Sequence, residues 1–209
     1  MTSTVSSLEQ YHSDLDVTRA ETSVERVGEE VRADCTLWFT SVLNRPAAQT
    51  WEYAKDLNAW HIDLSYNCVI GDQPEGTSVY FTVAEPYYDQ YEQNYGIDVK
   101  NWRKDLTVKF VDPERLLVLE ELSAPTNVLD QWVGRDSVKG REIAAYYILA
   151  LNEHDGQTTV MARFTYAPTW APKENEDQLR ASFEAMGAEV TARWKTQYFP
   201  MLRQLVEAA

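Results

Sequence analysis

Three side chains in the sequence, those of Glu120, Tyr147 and His61, are of types that carry out proton transfer or hydrogen bonding inside a pocket. Glu120 shares one face of an apolar strand with Leu116 and Val118, and we predict from the register of the preceding turn that this face points inward. A carboxylate among apolar neighbours has a raised pKa, which suits a general acid or base. Alternatively, Glu120 lies at the solvated end of the strand or pairs with an arginine.

The other two candidates are a phenol and an imidazole. Tyr146 and Tyr147 alternate on one strand, and we predict that Tyr147 faces inward with Leu149 and Leu151. Its hydroxyl could then orient a carbonyl or an enolate by hydrogen bonding, or the ring fills space with its hydroxyl bonded to the backbone. An imidazole at the position of His61 could shuttle a proton near neutral pH, or His61 is a capping or surface residue.

The remaining residues of these types form no metal or cofactor motif. His12 and His154 lie in a polar tail and a turn, and with Cys35 and Cys68 they lack the spacing of a metal site. The sequence contains no Ser-His-Asp arrangement, no phosphate-binding P-loop and no GxGxxG fingerprint. We therefore predict neither a metal nor a cofactor.

A long amphipathic helix near the C-terminus, from about Asn175 to Glu207, is the element expected to position these groups. Asn175 followed by Gln178 is typical of a helix N-cap and its reciprocal partner. Pro200 predicts a kink after Phe199, because proline removes a backbone donor and clashes with the preceding turn. Bulky apolar residues recur along one face at steps of three and four, at Leu179, Phe183, Met186, Val190, Trp194, Tyr198, Leu202 and Leu205.

Alternating residues predict seven strands before that helix. The first strand, Val31–Leu43, leads into a short helix that opens at Pro46 and a second helical turn over residues 58–61. Short turns between the other strands make the sheet antiparallel, and one curved sheet that buries its apolar face against the last helix is an α+β fold. These strands are expected at 66–70, 77–83, 106–110, 116–122, 143–151 and 158–166.

Residues 1–30 are predicted to be a polar N-terminal extension, and residues 31–209 a single domain. The extension is rich in Ser, Thr and Glu, with few apolar groups. Leu8, Tyr11 and Leu15 either form a short amphipathic turn or belong to a frayed tail.

The order of elements and several local motifs resemble the START-related (SRPBCC) superfamily of lipid-transfer proteins, polyketide cyclases and the birch-pollen allergen family. The closest local match runs from Val42 through Arg45-Pro46-Ala47 to Tyr53 and on to Asp56-Leu57-Asn58-Ala59-Trp60. The turn 112–116 and the hairpin around Gly156 are similar too, so the resemblance covers residues 31–207. The extension and the long segments 84–102 and 124–142 depart from the pattern, and such rim segments shape the mouth of a cavity.

The resemblance implies a helix-grip fold, in which the sheet wraps the C-terminal helix and leaves a cavity between them. It also puts His61 at the hinge where this family opens its pocket. Gly187 either admits a strand closely or leaves room for a ligand. The residues expected to bind a ligand are Trp60, Tyr66, Phe81, Trp102, Val108, Phe110, Val118, Phe164, Phe183, Met186, Val190 and Trp194, of which the last four would also pass as plain core.

A formal charge of −14 argues against nucleic acid or an anionic membrane as a partner, because both require basic surfaces. No stretch resembles a signal peptide or a membrane span, so we predict a cytoplasmic protein in which Cys35 and Cys68 are reduced. The sequence leaves a homodimer open.

Three functions fit these observations. The first is a cofactor-free pocket enzyme of secondary metabolism, similar to polyketide cyclases and dehydratases, that folds an apolar or aromatic substrate. The second is a non-catalytic carrier that transports or sequesters a lipid, a polyketide or another apolar molecule. The third is an interaction module whose acidic surface docks a basic protein.

Overall fold

The computed structural model describes residues 17–95, 99–122, 144–166 and 168–208. Within these ranges nine strands form one antiparallel sheet in the order β1-β2-β8-β7-β6-β5-β4-β3, and β9 pairs with part of β2. The α+β fold with a large antiparallel sheet is confirmed. The strands are β1 (Val17–Val27), β2 (Glu30–Leu43), β3 (Leu64–Tyr66), β4 (Ser78–Val83), β5 (Lys104–Asp112), β6 (Leu116–Leu122), β7 (Ala144–His154), β8 (Gln157–Thr165) and β9 (Thr169–Pro172).

The predicted count of seven strands is wrong by two. β1 lies in the stretch assigned to the polar extension, and it pairs with β2 from Val17 opposite Thr40 to Val27 opposite Glu30. Gly28, at φ +66°, makes the tight turn between them, a conformation that glycine adopts without strain. β9 follows β8 and pairs with the start of β2. Leu8, Tyr11 and Leu15 lie outside the described residues.

The helices largely follow the apolar pattern. After β2 come α1 (Ala47–Ala54) and a 3₁₀ turn at Leu57–Ala59, and α2 (Tyr88–Tyr95) follows β4. The long C-terminal helix is also confirmed. It comprises α3 (Glu176–Arg193), a π-helical turn (Trp194–Tyr198) and α4 (Phe199–Ala208).

The C-terminal helix differs from its sequence description in two details. Asn175 occupies the N-cap position, but its side chain makes no capping hydrogen bond. The irregularity expected after Phe199 lies before it, where the Phe199 N–H donates to the Trp194 carbonyl across the wider π turn. The α-helix then continues past Pro200, although this residue donates no backbone hydrogen bond.

The concave face of the sheet packs against α3 and α4, and this contact forms the main core. In β2, Ala33, Cys35, Leu37 and Phe39 are buried on the concave side, as their alternation predicts. Gly187 of α3 approaches β1 closely, because a Cβ built there would lie 3.2 Å from the Ala20 Cβ. Of the two roles open to Gly187, the structure supports close approach of a strand.

Candidate functional site

A cavity of about 210 Å³ lies between the concave face of the sheet and the C-terminal helix. Strands β3 to β8 form its floor and sides, while α3 and the π turn cover it. Most of its lining is apolar or aromatic: Leu57, His61, Leu64, Tyr66, Phe81, Tyr91, Trp102, Lys104, Leu106, Leu119, Glu121, Ala145, Tyr146, Tyr147, Phe164, Thr165, Tyr166, Met186, Val190, Arg193, Trp194 and Tyr198.

The structure brings nine of the predicted site residues together at this wall. Two of the three predicted catalytic groups, His61 and Tyr147, are among them, with their ring centroids 6.2 Å apart. The seven predicted ligand-binding residues at the wall are Tyr66, Phe81, Trp102, Phe164, Met186, Val190 and Trp194.

Three other predicted ligand-binding residues, Trp60, Val108 and Phe183, are fully buried in the core and do not line the cavity. Trp60 packs edge-on against Trp194, with ring centroids 5.5 Å apart. These residues therefore support the wall from behind.

The prediction that Glu120 points inward is wrong. Glu120 lies opposite Tyr146 and Thr107 on the convex face, while Leu119 and Glu121 face the cavity. The Lys109 ammonium lies 2.8 Å from the Glu120 carboxylate, and the Tyr146 hydroxyl donates to it at 2.8 Å. The hydrogen bond from Lys109, reinforced by that from Tyr146, lowers the pKa of Glu120, the opposite of what a buried general acid requires.

The predicted pocket positions of Phe110 and Val118 are wrong for a related reason. A β-bulge between Val108 and Phe110 inserts Lys109 into β5, so the alternation reverses after Val108. Phe110 consequently pairs with Val118 on the convex face and is 43% exposed, while Val111 turns inward with Leu117.

The carboxylate that lines the cavity is Glu121, and it is paired. The Lys104 ammonium lies 2.7 Å from the Glu121 carboxylate, and both side chains are largely buried. Lys104 also lies 5.8 Å from the centre of the Tyr166 ring. This end of the cavity is therefore polar but electrically compensated.

His61 supplies the imidazole of the cavity lining, and it is 1% exposed. Its Nδ1 lies 2.8 Å from the Tyr66 hydroxyl, and its ring stacks on Tyr198 with centroids 4.4 Å apart. Nε2 has no hydrogen-bond partner among the described residues. Burial lowers the pKa of His61 to about 3, so the ring is neutral at pH 7.

Tyr147, which is 5% exposed, projects from β7 into the same cavity. Its ring packs on Phe164 with centroids 4.4 Å apart, but its hydroxyl has no hydrogen-bond partner among the described residues. The alternative of a hydroxyl bonded to the backbone is therefore not what the structure has. Burial raises the pKa of Tyr147 well above its usual value, so the phenol stays protonated.

A buried network around Asp63 adjoins the cavity and was missed from the sequence. The Asp63 carboxylate accepts hydrogen bonds from Tyr91 and Arg193, each at 2.6 Å, and from the Tyr198 hydroxyl. Arg193 is also bonded to Glu189 at 2.6 Å. The one available signal was Arg193 on the flank of an apolar helix face, because a guanidinium there requires a carboxylate partner.

The described residues show neither a metal site nor a membrane-spanning helix. No three of their His, Cys, Asp and Glu side chains are grouped so that they could hold a metal ion. None of their helices is both long and apolar enough to span a membrane.

No protein-family model matches this chain, and no curated protein matches it. The solved structures similar to it include a protein from Arthrobacter aurescens, at 9% identity and a TM-score of 0.49, with 90% of this chain and 92% of that chain covered. A protein from Rhodobacter sphaeroides is 18% identical with a TM-score of 0.46, with 90% of this chain and 99% of that chain covered. CalU16 from Micromonospora echinospora is 12% identical with a TM-score of 0.39, with 92% of this chain and 95% of that chain covered.

Proposed function

We propose that this protein binds a small apolar, ring-containing molecule between its sheet and its C-terminal helix. The cavity of about 210 Å³, walled largely by aromatic and aliphatic side chains, is the observation that carries the proposal. Burial of apolar ligand surface against such walls is the main favourable contribution to binding. An apolar cavity of about 150 Å³ accepts a benzene-sized guest, so this one has room for one or two fused rings.

The proposal includes membership of the START-related superfamily with a helix-grip fold and a cytoplasmic location. The sheet that curves around α3 and α4, and the short helix after β2, support the fold assignment. In its simplest form the protein is a carrier, because a largely apolar wall with a few hydrogen-bonding groups binds a ligand without requiring turnover.

A cyclase or dehydratase similar to those of polyketide pathways is the second candidate. It is favoured by the location of His61 and Tyr147 at one cavity wall. A neutral imidazole whose pKa is about 3 is a weak base, so these groups would assist by hydrogen bonding to a developing enolate. Orientation of the substrate and exclusion of water would supply most of the acceleration.

Filling the cavity tests the binding function. Ala145 lines the cavity and Ala150 lies on the opposite face of the same strand, so Ala145→Phe removes space for a guest and Ala150→Phe is its matched control. We expect tetralin, a two-ring hydrocarbon, to bind the unaltered protein and the Ala150→Phe variant but not Ala145→Phe, measured by saturation-transfer NMR. Equal binding to all three proteins would place the guest elsewhere.

Native mass spectrometry of the freshly purified protein separates the two candidates. A carrier is expected to retain a ligand of constant mass through purification, and to release it unchanged. An enzyme is expected to convert a bound ring precursor, with Tyr147→Phe lowering the rate more than the affinity.

A further inference from the structure

We propose that the cavity selects an uncharged ring compound that presents a carbonyl-type acceptor oxygen to Tyr147 and His61. The inference rests on the proposed binding function and narrows it to a ligand class. That class excludes fatty acids and other carboxylates. A pure hydrocarbon binds too, but more weakly than a ring compound that carries the acceptor oxygen.

The first argument is that two buried polar atoms at the cavity wall have no partner among the described residues. They are the Tyr147 hydroxyl and the His61 Nε2. Buried polar atoms in native proteins are nearly always hydrogen-bonded, and an isolated one is destabilising. Both residues line the same cavity, so a guest molecule is in a position to supply the missing partner.

The second argument concerns the direction of those hydrogen bonds. If the Tyr66 hydroxyl donates to His61 Nδ1, its proton is satisfied and Nε2 carries the ring hydrogen. In the other tautomer Nδ1 donates, and both the Tyr66 proton and the bare Nε2 remain without a partner. The first arrangement leaves fewer buried groups unsatisfied, so the wall presents two donors, Nε2–H and the Tyr147 O–H.

The third argument is the charge of the wall. Lys104 is paired with Glu121 at 2.7 Å, and Arg193 is paired with Asp63 and Glu189 at 2.6 Å each. An anionic guest would lose its hydration on entering the cavity, and the nearby cations, already paired with carboxylates, would not compensate for that loss. A neutral guest avoids that cost, and neutral His61 and Tyr147 are suited to a neutral acceptor.

The shape of the lining accounts for the ring. Phe81, Trp102, Phe164 and Trp194 contribute aromatic surfaces, and flat rings pack on such surfaces in offset or edge-on contacts. A carbonyl conjugated to a ring places its acceptor oxygen at the edge of that ring, where wall donors can reach it. Cyclic and aromatic ketones therefore combine the required features.

Three probes of nearly equal size test the proposal on the full chain. They are tetralin, 1-tetralone and 1,2,3,4-tetrahydro-1-naphthoate, which differ by having no acceptor, a neutral acceptor or a carboxylate. Binding is followed by isothermal titration calorimetry at pH 7. We expect 1-tetralone to bind about tenfold more tightly than tetralin because of its hydrogen bonds, and the carboxylate to bind more weakly than either.

Tyr147→Phe removes one donor and nothing else, and Tyr80→Phe, at an exposed tyrosine of β4 that does not line the cavity, is its matched control. We expect Tyr147→Phe to weaken 1-tetralone binding about fivefold and to leave tetralin binding within about twofold, while Tyr80→Phe changes neither. The variant should fold, because the Tyr147 hydroxyl has no hydrogen-bond partner to lose in the part of the chain that the structure describes. If Tyr147→Phe does not fold, the binding of the three probes to the unaltered chain still tests the ligand class.

The outcomes separate this inference from the binding function beneath it. If tetralin and 1-tetralone bind equally, or if the carboxylate binds most tightly, the ligand class is wrong while the pocket function stands. If none of the three probes binds, the proposed function fails together with the inference. Equal loss of 1-tetralone binding in Tyr80→Phe and Tyr147→Phe, or no loss in Tyr147→Phe, would overturn the assignment of the donor.

Discussion

Arg193 donates a hydrogen bond to Asp63 at 2.6 Å, and this contact connects two residues that are 130 positions apart. Asp63 lies between the 3₁₀ turn and β3, whereas Arg193 ends α3 at the side of the cavity. The pair therefore fixes the C-terminal helix relative to the segment that carries His61. Because Tyr91 and Tyr198 donate to the same carboxylate, Asp63 joins four elements around one buried charge.

Asp63→Ala should be strongly destabilising. It leaves the largely buried Arg193 with Glu189 as its remaining carboxylate partner and removes the acceptor of two tyrosine hydroxyls. We expect the free energy of unfolding to fall by about 3 kcal/mol, measured by urea denaturation. Glu189→Ala, which removes the more exposed partner of the same arginine, should cost less than about 1 kcal/mol. Equal losses would contradict the central position given to Asp63.

Glu121→Gln should change the charge preference of the cavity. Lys104 would then face the cavity without its carboxylate partner, so an anionic guest gains an attractive cation. We expect the affinity for 1,2,3,4-tetrahydro-1-naphthoate to rise about fivefold and that for 1-tetralone to stay within about twofold, by calorimetry. Glu120→Gln, at the next position but on the convex face, should change neither. A gain in the Glu120 variant alone would reverse the assignment of faces on β6.

Protonation of His61 should make the protein less stable as the pH falls. The folded-state pKa of about 3 lies below the unfolded value of about 6.5, so below pH 6.5 the unfolded chain binds a proton that the folded chain does not. This contribution is complete above about pH 6.5 and declines by about 1.4 kcal/mol per pH unit towards pH 3.

The His61 contribution is isolated by comparison with His61→Gln, which is neutral throughout. The unfolding free energy of the unaltered protein minus that of His61→Gln should fall steadily from pH 6.5 to pH 4.5, measured by denaturant titration at each pH. A constant difference would mean that the imidazole is solvated in the folded state.

Enlarging Gly187 should push α3 away from β1. Even a single Cβ added at this position would lie 3.2 Å from the Ala20 Cβ, so a larger side chain has no room. We expect Gly187→Leu to lower the unfolding free energy by about 2 kcal/mol through overpacking. Ala188→Leu, at the exposed neighbouring position, should change it by less than about 0.5 kcal/mol. If both variants unfold alike, the close approach of helix and strand is wrong.

The pattern of residues predicted those elements that have one buried face. β2 alternates apolar and polar side chains, so both its range and its inward face were predictable. β6 was predicted at its observed bounds but with the wrong face inward. Its two faces, Leu116 with Val118 and Leu117 with Leu119, are equally apolar, so periodicity alone does not distinguish them.

Other parts of the site depend on features that a local pattern does not contain. The bulge at Lys109 reverses the faces of β5, and one inserted residue leaves no sign in an otherwise regular strand. β1 carries charged residues on its exposed face and only small or sparse apolar groups, such as Ala20 and Val24, on the other. Its pairing with β2 is a tertiary effect that overrides weak local preference.

The π-helical turn has a consequence for the far end of the chain. Leu179 and Val206 are separated by about seven and a half turns of regular α-helix, which would put them on opposite sides, yet both are buried. One extra residue taken up at Trp194–Tyr198 brings them to within roughly a quarter turn. The π turn therefore sets the rotation of α4: regular α-helical bonding there with no residue removed would turn Leu202 and Val206 away from the core, whereas deletion of one residue would give a regular helix with α4 in the same rotation.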